Sequence, residues 1–394
     1  MRRSPALAAG SLVSVMFINM LGFGIVIPLL PFYAQSFNAA PWQIALIFSA
    51  FPIGSFFGEP FWGRMSDRLG RKPLLISTVT GNMCCYLALA FAPDVLSAFL
   101  IRLAGGAASG NGAVMQGYIA DVTPPELRSR RMAWIGAAAS LGLVVGPSIG
   151  GVFARTHAGP AGFRVPLLIA AAFSLTAVVA LTLFIREPET RRDPPPHQSR
   201  LDALAEVAQH PVIGRLMLLT FLVGFAFTGI ESVFGLWGEA RFGWGPREIG
   251  WCFAAAGAVS AATQFFLTGP LSERFGEARV LAGGMALTVI GCAAQTRSTG
   301  LPMTTALMAL TALGQSVSWP NVGALISRAA DPAKQGQVLG LNNATGAFAR
   351  FVGPLSAGLA FAHLSHDAPF VTAALVVAPA ILLALSAAGR ARPA

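Results

Sequence analysis

The sequence predicts an all-α integral membrane protein, with twelve transmembrane helices in two pseudo-symmetric six-helix bundles. Three observations carry that prediction. Only 11% of the residues are charged and 54% are hydrophobic, against about 25% charged in a soluble domain, so the chain cannot cover a water-facing surface. Apolar runs long enough to cross a bilayer, about 20 residues each, recur from end to end. The second half repeats motifs of the first at a near-constant offset, which marks two related halves.

The apolar windows lie at 8–32, 43–63, 73–92, 94–121, 129–154, 163–185, 211–238, 247–271, 278–296, 301–327, 336–361 and 368–389. Several hold Gly or Pro mid-run, which membrane helices tolerate when neighbours satisfy the freed backbone groups. The opening Met1-Arg-Arg imitates a cleaved signal. Its apolar run continues past Gly24 to Pro31, too long for one, and reads as a retained first helix. With both termini cytoplasmic, 20 Arg and Lys fall in inner loops and 5 in outer loops, while Arg102 and Arg350 lie inside helices. That asymmetry sets the orientation and suits a multi-pass protein of the inner (plasma) membrane. It also accounts for the net charge of +10 without nucleic acid as a partner.

Residues 186–210 break the pattern, being polar and Pro-rich. They read as a cytoplasmic linker, with a short surface helix over 201–209, between a half at 1–185 and a half at 211–394.

Two repeats tie the halves together. Gly63-Arg-Met-Ser-Asp67-Arg68-Leu-Gly70-Arg71-Lys72 returns 206 residues later as Gly269-Pro-Leu-Ser-Glu273-Arg274-Phe-Gly276. Gly63 and Gly70 are expected to allow a tight turn and close helix approach. Asp67, among basic residues, can pair locally or bond to a helix end. The second repeat maps Gly146-Pro147 onto Gly353-Pro354. The stripe Ala139, Gly142, Gly146, Gly150 maps onto Gly346, Ala349, Gly353, Ala357. Such small faces let membrane helices pack backbone to backbone. Pro147 and Pro354 permit bending, which suits a rocking carrier; static tight packing needs the same composition.

Charges within apolar runs are costly and so mark function. Arg102 lies about 12 Å from the outer end of helix 4, and Glu231 about 10 Å from that of helix 7, at 1.5 Å per residue. Their matching depths allow an Arg102–Glu231 pair, with Arg350 as a second partner. Glu59 lies one turn inside Gly63, and Asp121 sits at the inner end of helix 4. A carboxylate in a partly dry cavity can hold a proton near neutral pH and release it when access changes sides. Glu231 is the first candidate for that work and Glu59 the second; a permanent structural ion pair is the competing reading for both.

Asn19, Asn111, Gln116, Trp319, Asn321 and Asn343 also sit mid-helix, and there are 28 Phe. A cavity of apolar and aromatic groups with a few amides suits a bulky amphipathic small molecule. No metal site or cofactor is expected. The four cysteines lie in apolar runs without CxxC or zinc spacing. There is no GxxxxGK[ST] or HExxH pattern, so the chain reads as no enzyme.

The 63–73 loop resembles the signature loop between helices 2 and 3 of the major facilitator superfamily. Gly22-Phe-Gly24-Ile-Val-Ile-Pro28-Leu-Leu-Pro31 is similar to the helix 1 signature of its twelve-helix drug:proton antiporters. Arg102 with Gly106 and Gly110 resembles their helix 4 signature, and Gly142 to Gly151 their helix 5 antiporter signature. Trp237-Gly-Glu239-Ala-Arg241-Phe242-Gly-Trp244 looks like the tetracycline-efflux branch.

The resemblance implies that Asp67 and Arg68, with Gly63, Gly70 and Arg71, latch the inner ends of helices 2 and 11. Asp121 would join that network, and Glu273 and Arg274 would form the second copy. Arg102 would take part in proton coupling, and helices 1, 4, 7 and 10 would line the cavity. Asn19 and Cys85 stand where tetracycline exporters carry acids, which argues against tetracycline itself. The expected protein is a monomeric, proton-coupled exporter of amphipathic small molecules. The alternatives are a metabolite uptake carrier or a non-transporting membrane sensor on the same scaffold.

Overall fold

In lipid every backbone N–H and C=O must find its partner inside the protein, which leaves helix as the local solution for this composition. The computed structural model describes residues 5–123, 125–187, 210–331 and 335–388. The short helix expected over 201–209 lies outside the described residues. α1 (Pro5–Val26) passes through a 3₁₀ turn, Ile27–Leu29, into α2 (Leu30–Gln35). Pro28 and Pro31 fall in the first turns of these segments, where a missing N–H costs least. There follow α3 (Pro41–Leu69), α4 (Arg71–Ala90), α5 (Val95–Ala108), α6 (Asn111–Val122), α7 (Pro125–Phe153) and α8 (Arg164–Phe184). The second half comprises α9 (Pro211–Phe242), α10 (Pro246–Ala262), α11 (Thr268–Phe275), α12 (Glu277–Gln295), α13 (Leu301–Ala329), α14 (Gln335–His363) and α15 (Ala368–Ala388).

Helix occupies all twelve apolar windows. Among the described residues, nine spans are long and apolar enough to cross a membrane by length and composition alone. α13 and α14 reach 29 residues each but carry polar groups such as Gln315, Asn321, Asn342 and Arg350. The window 94–121 is not one helix, contrary to expectation. It breaks at Ser109-Gly110 into α5 and α6. The carbonyl of Ala107, which would serve residue 111 in a continuous helix, accepts the Trp62 indole N–H instead, at 2.7 Å. A π-helical turn, Thr263–Leu267, links α10 to α11, and the Thr268 hydroxyl donates to the Thr263 carbonyl at 3.1 Å.

Caps set other boundaries. The Asp94 carboxylate accepts the Ser97 N–H at 2.7 Å and starts α5. That bond, with the Ser97 hydroxyl beside it, holds the Asp94 carboxyl below its ordinary range.

The chain packs as two compact units: Met1–Pro195 with Trp244–Ala254, and Pro196–Gly243 with Ala255–Ala394. In the first, Leu12 and Val15 of α1 join Leu75 and Val79 of α4, Met115 and Tyr118 of α6, and Leu181 of α8 in one buried cluster. α7 lies directly on α1. A Cβ at Gly142 would stand 2.7 Å from the Leu21 N, one at Gly146 2.7 Å from the Leu21 O, and one at Gly150 2.5 Å from the Ile25 O. On its other side α7 meets the start of α10, where a Cβ at Gly250 would lie 2.6 Å from the Pro147 O.

In the second unit α9 and α14 cross in the same manner. A Cβ at Gly353 would meet the Phe225 O at 2.6 Å, and one at Gly229 the Gly353 O at 3.0 Å. Pro147 and Pro354 are buried inside α7 and α14. The end of α9 is stapled to the start of α15. The Trp237 indole donates to Asp367 at 2.7 Å, and Arg241 pairs with the same carboxylate at 3.1 Å. Leu183, Leu375 and Leu382 are exposed, as an outer belt facing lipid requires.

The α1–α7 contact has no room for a side chain. Gly146→Leu should lower the melting temperature in detergent by several degrees, since overpacking costs about 1–3 kcal/mol. Gly136→Leu, on the same helix where a Cβ meets nothing within 4 Å, should melt like wild type. Equal melting of the two variants would refute backbone contact at Gly146.

Candidate inner-face and transport site

The loop between α3 and α4 is a tight reversal. α3 ends at Leu69, Gly70 takes φ 107°, and α4 starts at Arg71. A positive φ of this size is available to glycine at little cost. Gly63 does not play the expected part. It lies within α3 and a Cβ there would meet nothing within 4 Å, so it serves neither turn nor close approach. Arg71 turns back along the loop, and its guanidinium donates to the Ser66 hydroxyl at 2.6 Å. It also lies 2.8 Å from the point a Cβ on Gly117 would occupy, which joins the loop to α6. Arg68 is exposed. The side chains of Asp67 and Asp121 lie outside the described residues.

The exit of α8 closes against this loop. The Glu187 carboxylate accepts the backbone N–H groups of Arg71 and Lys72. The Lys72 ammonium donates to the Thr182 carbonyl at 2.9 Å, and the Tyr118 hydroxyl to the Arg186 carbonyl at 2.7 Å. Sequence reasoning assigns Glu187 to the linker. Its partners lie 115 and 116 residues away, and no local pattern marks it.

The second copy is built differently. Glu273 and Arg274 are exposed, the latter with its guanidinium 5.4 Å from the Phe275 ring. Gly276 takes φ 81° and makes the turn. Glu277, in the first turn of α12, pairs with Arg328 of α13 at 2.6 Å.

Two interior charges stand apart. Arg102 of α5 is 6% exposed. Its guanidinium lies 4.9 Å from the Phe51 ring, a cation–π contact strengthened by dry surroundings. Its Nε has no hydrogen-bond partner, and within its own unit no carboxylate pairs with it among the described residues. Glu231 of α9 is half-buried. Within its own unit, no hydrogen bond or ion pair engages its carboxylate among the described residues. α9 runs on to Phe242, which sets Glu231 about 16 Å from the helix end at 1.5 Å per residue. Arg102 is about 10 Å from the start of α5 on the same measure. α9 thus runs four residues past the end at 238 expected from the sequence. Glu59 is exposed on α3, and Arg350 is half-buried on α14.

Among the amides, Asn19 is buried in α1 and Asn343 is exposed on α14. The side chains of Asn111 and Gln116 lie outside the described residues. Asn321 is 2% exposed; its amide donates to the Val317 O at 2.7 Å, and its Oδ1 lies 2.8 Å from the Ser272 hydroxyl. Those bonds make it a joint between α11 and α13 rather than a free polar group. Trp319 is 43% exposed. Its ring edge fits between two glycines, 3.6 Å from a Cβ position at Gly224 and 3.1 Å from one at Gly346. Phe221 stacks with Phe225 and with Phe348, at 5.8 Å in each case. Gly224 and Glu231 are seven residues apart on α9, so they share one helix face. A carboxylate and an aromatic platform thus occupy one side of the second unit.

The family model of the Major Facilitator Superfamily matches residues 12–245 and 216–394. The chain is 28% identical over 344 residues to the tetracycline resistance protein, class C, of Escherichia coli, covering 86% of this chain and 85% of that one. It is 27% identical over 372 residues to multidrug resistance protein 2 of Bacillus subtilis (strain 168), covering 93% and 91%. Its fold matches the human organic anion transporter MFSD10 (TETRAN) with TM-score 0.73 at 23% identity, over 97% of this chain and all of that one. It matches the nucleoside transporter NupG with TM-score 0.76 at 16% identity, over 97% and 98%. With its twelve helical windows and duplicated inner loop, this chain belongs to the Major Facilitator Superfamily of transporters.

Proposed function

We propose that this transporter exports a hydrophobic or amphipathic small molecule in exchange for protons, by alternating access in the inner membrane. The observation that carries the coupling is Glu231, a carboxylate inside a membrane helix with no ion-pair partner in its own unit among the described residues. An acid so placed is costly unless it works. Taking up a proton removes its charge, and releasing one restores it, so each access state can favour a different form. Arg102, a buried cation of the other half, would also take part in the coupling.

The aromatic surface of Trp319, Phe221 and Phe348 supports a substrate with flat apolar area, bound by contact more than by a hydrogen-bond pattern. The relatives named for tetracycline and multidrug resistance support export and a drug-like cargo. The halves 1–185 and 211–394 would rock, each held together by the glycine contacts of its own α7 or α14, with both termini cytoplasmic. The loop of Gly70, Asp67, Arg68 and Arg71 would hold the inner side closed. A single chain would suffice.

The test uses inside-out vesicles with an imposed pH gradient, a panel of fluorescent amphipathic cations and neutral dyes, and a probe of internal pH. A panel member should accumulate while the gradient discharges. A held gradient with no dye movement would overturn drug:proton exchange. Glu231→Gln should lose the response of transport to pH while exchange of dye for dye persists. Wild-type pH dependence in that variant would move the proton site elsewhere. Asp67→Asn should slow transport by roughly tenfold or more, the worth of a charged hydrogen bond in a rate, with unchanged protein in the membrane. Normal flux would remove the latch.

A further inference from the structure

The first helix turn after the inner loop lacks a cap of its own. The opening N–H groups of any helix have no partner within it, and the residue before α4 is Gly70, which has no side chain to offer. The missing acceptor comes from the far end of the half. Glu187, just past α8, places one carboxylate oxygen on the Arg71 N–H and the other on the Lys72 N–H, the latter at 2.8 Å. A bidentate anion at a helix N-terminus combines two charge-assisted bonds with the favourable end of the helix dipole. Gly70 is shaped around it: a Cβ there would lie 2.6 Å from Glu187 Oε1.

The chain on either side of Glu187 is clamped as well. Arg186 accepts the Tyr118 hydroxyl and Thr182 accepts Lys72. Arg71 closes the circuit by returning to Ser66.

The second half gives an independent comparison. At the 206-residue offset, Arg71 corresponds to Glu277. That carboxylate lies in the first turn of α12 and pairs with Arg328. Each half therefore supplies one acid to the same helix start. The second carries it in the helix itself, and the first, with a basic residue there, brings it from the exit of α8.

We propose that Glu187 is a positioning residue of the transport cycle: its carboxylate caps α4 and holds Gly70–Lys72 in the geometry that sets the preceding Asp67-Arg68 segment. This rests on the reading of that loop as the inner latch. Movement of the chain leaving α8 is then passed directly to the latch.

The test compares the full chain in lipid nanodiscs with Glu187→Gln and Glu187→Asp. Hydrogen exchange is followed in peptides covering 64–76, and transport is measured in the vesicle assay. Glu187→Gln should speed exchange at the Arg71 and Lys72 amides by about fivefold to tenfold, as for loss of a cap, leaving other helices unchanged. Its maximal transport rate should fall by a similar factor at unchanged half-saturation. Glu187→Asp, which keeps the charge on a shorter arm, should fall between the two. Unchanged exchange at these amides would overturn the cap. Raised exchange with a wild-type maximal rate would overturn the role in transport. A wild type that moves no dye would sink the export reading alone, because the exchange comparison still decides whether this carboxylate positions the loop.

Discussion

The structure depends on one constraint: inside a bilayer, no backbone polar group can turn to water. Continuous helix meets it, and the interest lies where helix stops. Three interruptions among the described residues have a compensating donor or acceptor. The break between α5 and α6 frees the Ala107 carbonyl, which the Trp62 indole takes. The π-helical turn before α11 draws in the Thr268 hydroxyl. The start of α4 takes the Glu187 carboxylate. The residues that repair the first and last of these sites lie in another helix or at the end of the half, so local irregularity ties distant segments together.

The same constraint explains how the helices touch. Lipid tails are as apolar as leucine, so there is little hydrophobic gain in bringing two apolar helices together. Close approach of backbones supplies the contact instead. Gly142, Gly146 and Gly150 let α7 rest on α1, and Gly353 with Gly229 does the same for α14 and α9. Proline falls within each of these packed helices, at Pro147 and Pro354. Both prolines are therefore inside a contact that a single added methyl would disturb. Each of these contacts lies within one unit and fixes the helices of that half to one another.

Much of this is legible in the sequence, and the exceptions share a physical cause. Span length and apolarity are local properties, so all twelve windows can be read directly. The duplicated loop is visible because glycine and charge recur at one offset. The break at Ser109-Gly110 is hidden because its compensation comes from Trp62 on another helix. The last turn of α9 is missed because Trp237, Arg241 and Phe242 look like a loop in composition. In the structure Asp367 holds the first two in helix. Asn321 looks available for a substrate, yet Ser272 and Val317 engage it. Gly63 shares a motif with Gly70, but only Gly70 bears a positive φ. In most of these cases the deciding partner is remote in sequence.

The two halves are alike in fold and unlike in charge, and this asymmetry bears on mechanism. A strictly symmetric pair would place equal electrostatic holds on the two inner loops. Here the first loop is clasped by Glu187 through backbone N–H groups, which cannot change protonation. The second is tied through Glu277 and Arg328, with Arg328 71% exposed and Glu277 16%. An exposed ion pair is screened by salt and worth about 1 kcal/mol or less. A capped helix start is worth about as much, and its charge–dipole part is screened by salt as well. Within the interior the asymmetry reverses in sign, with the fixed cation Arg102 in the first half and the titratable acid Glu231 in the second.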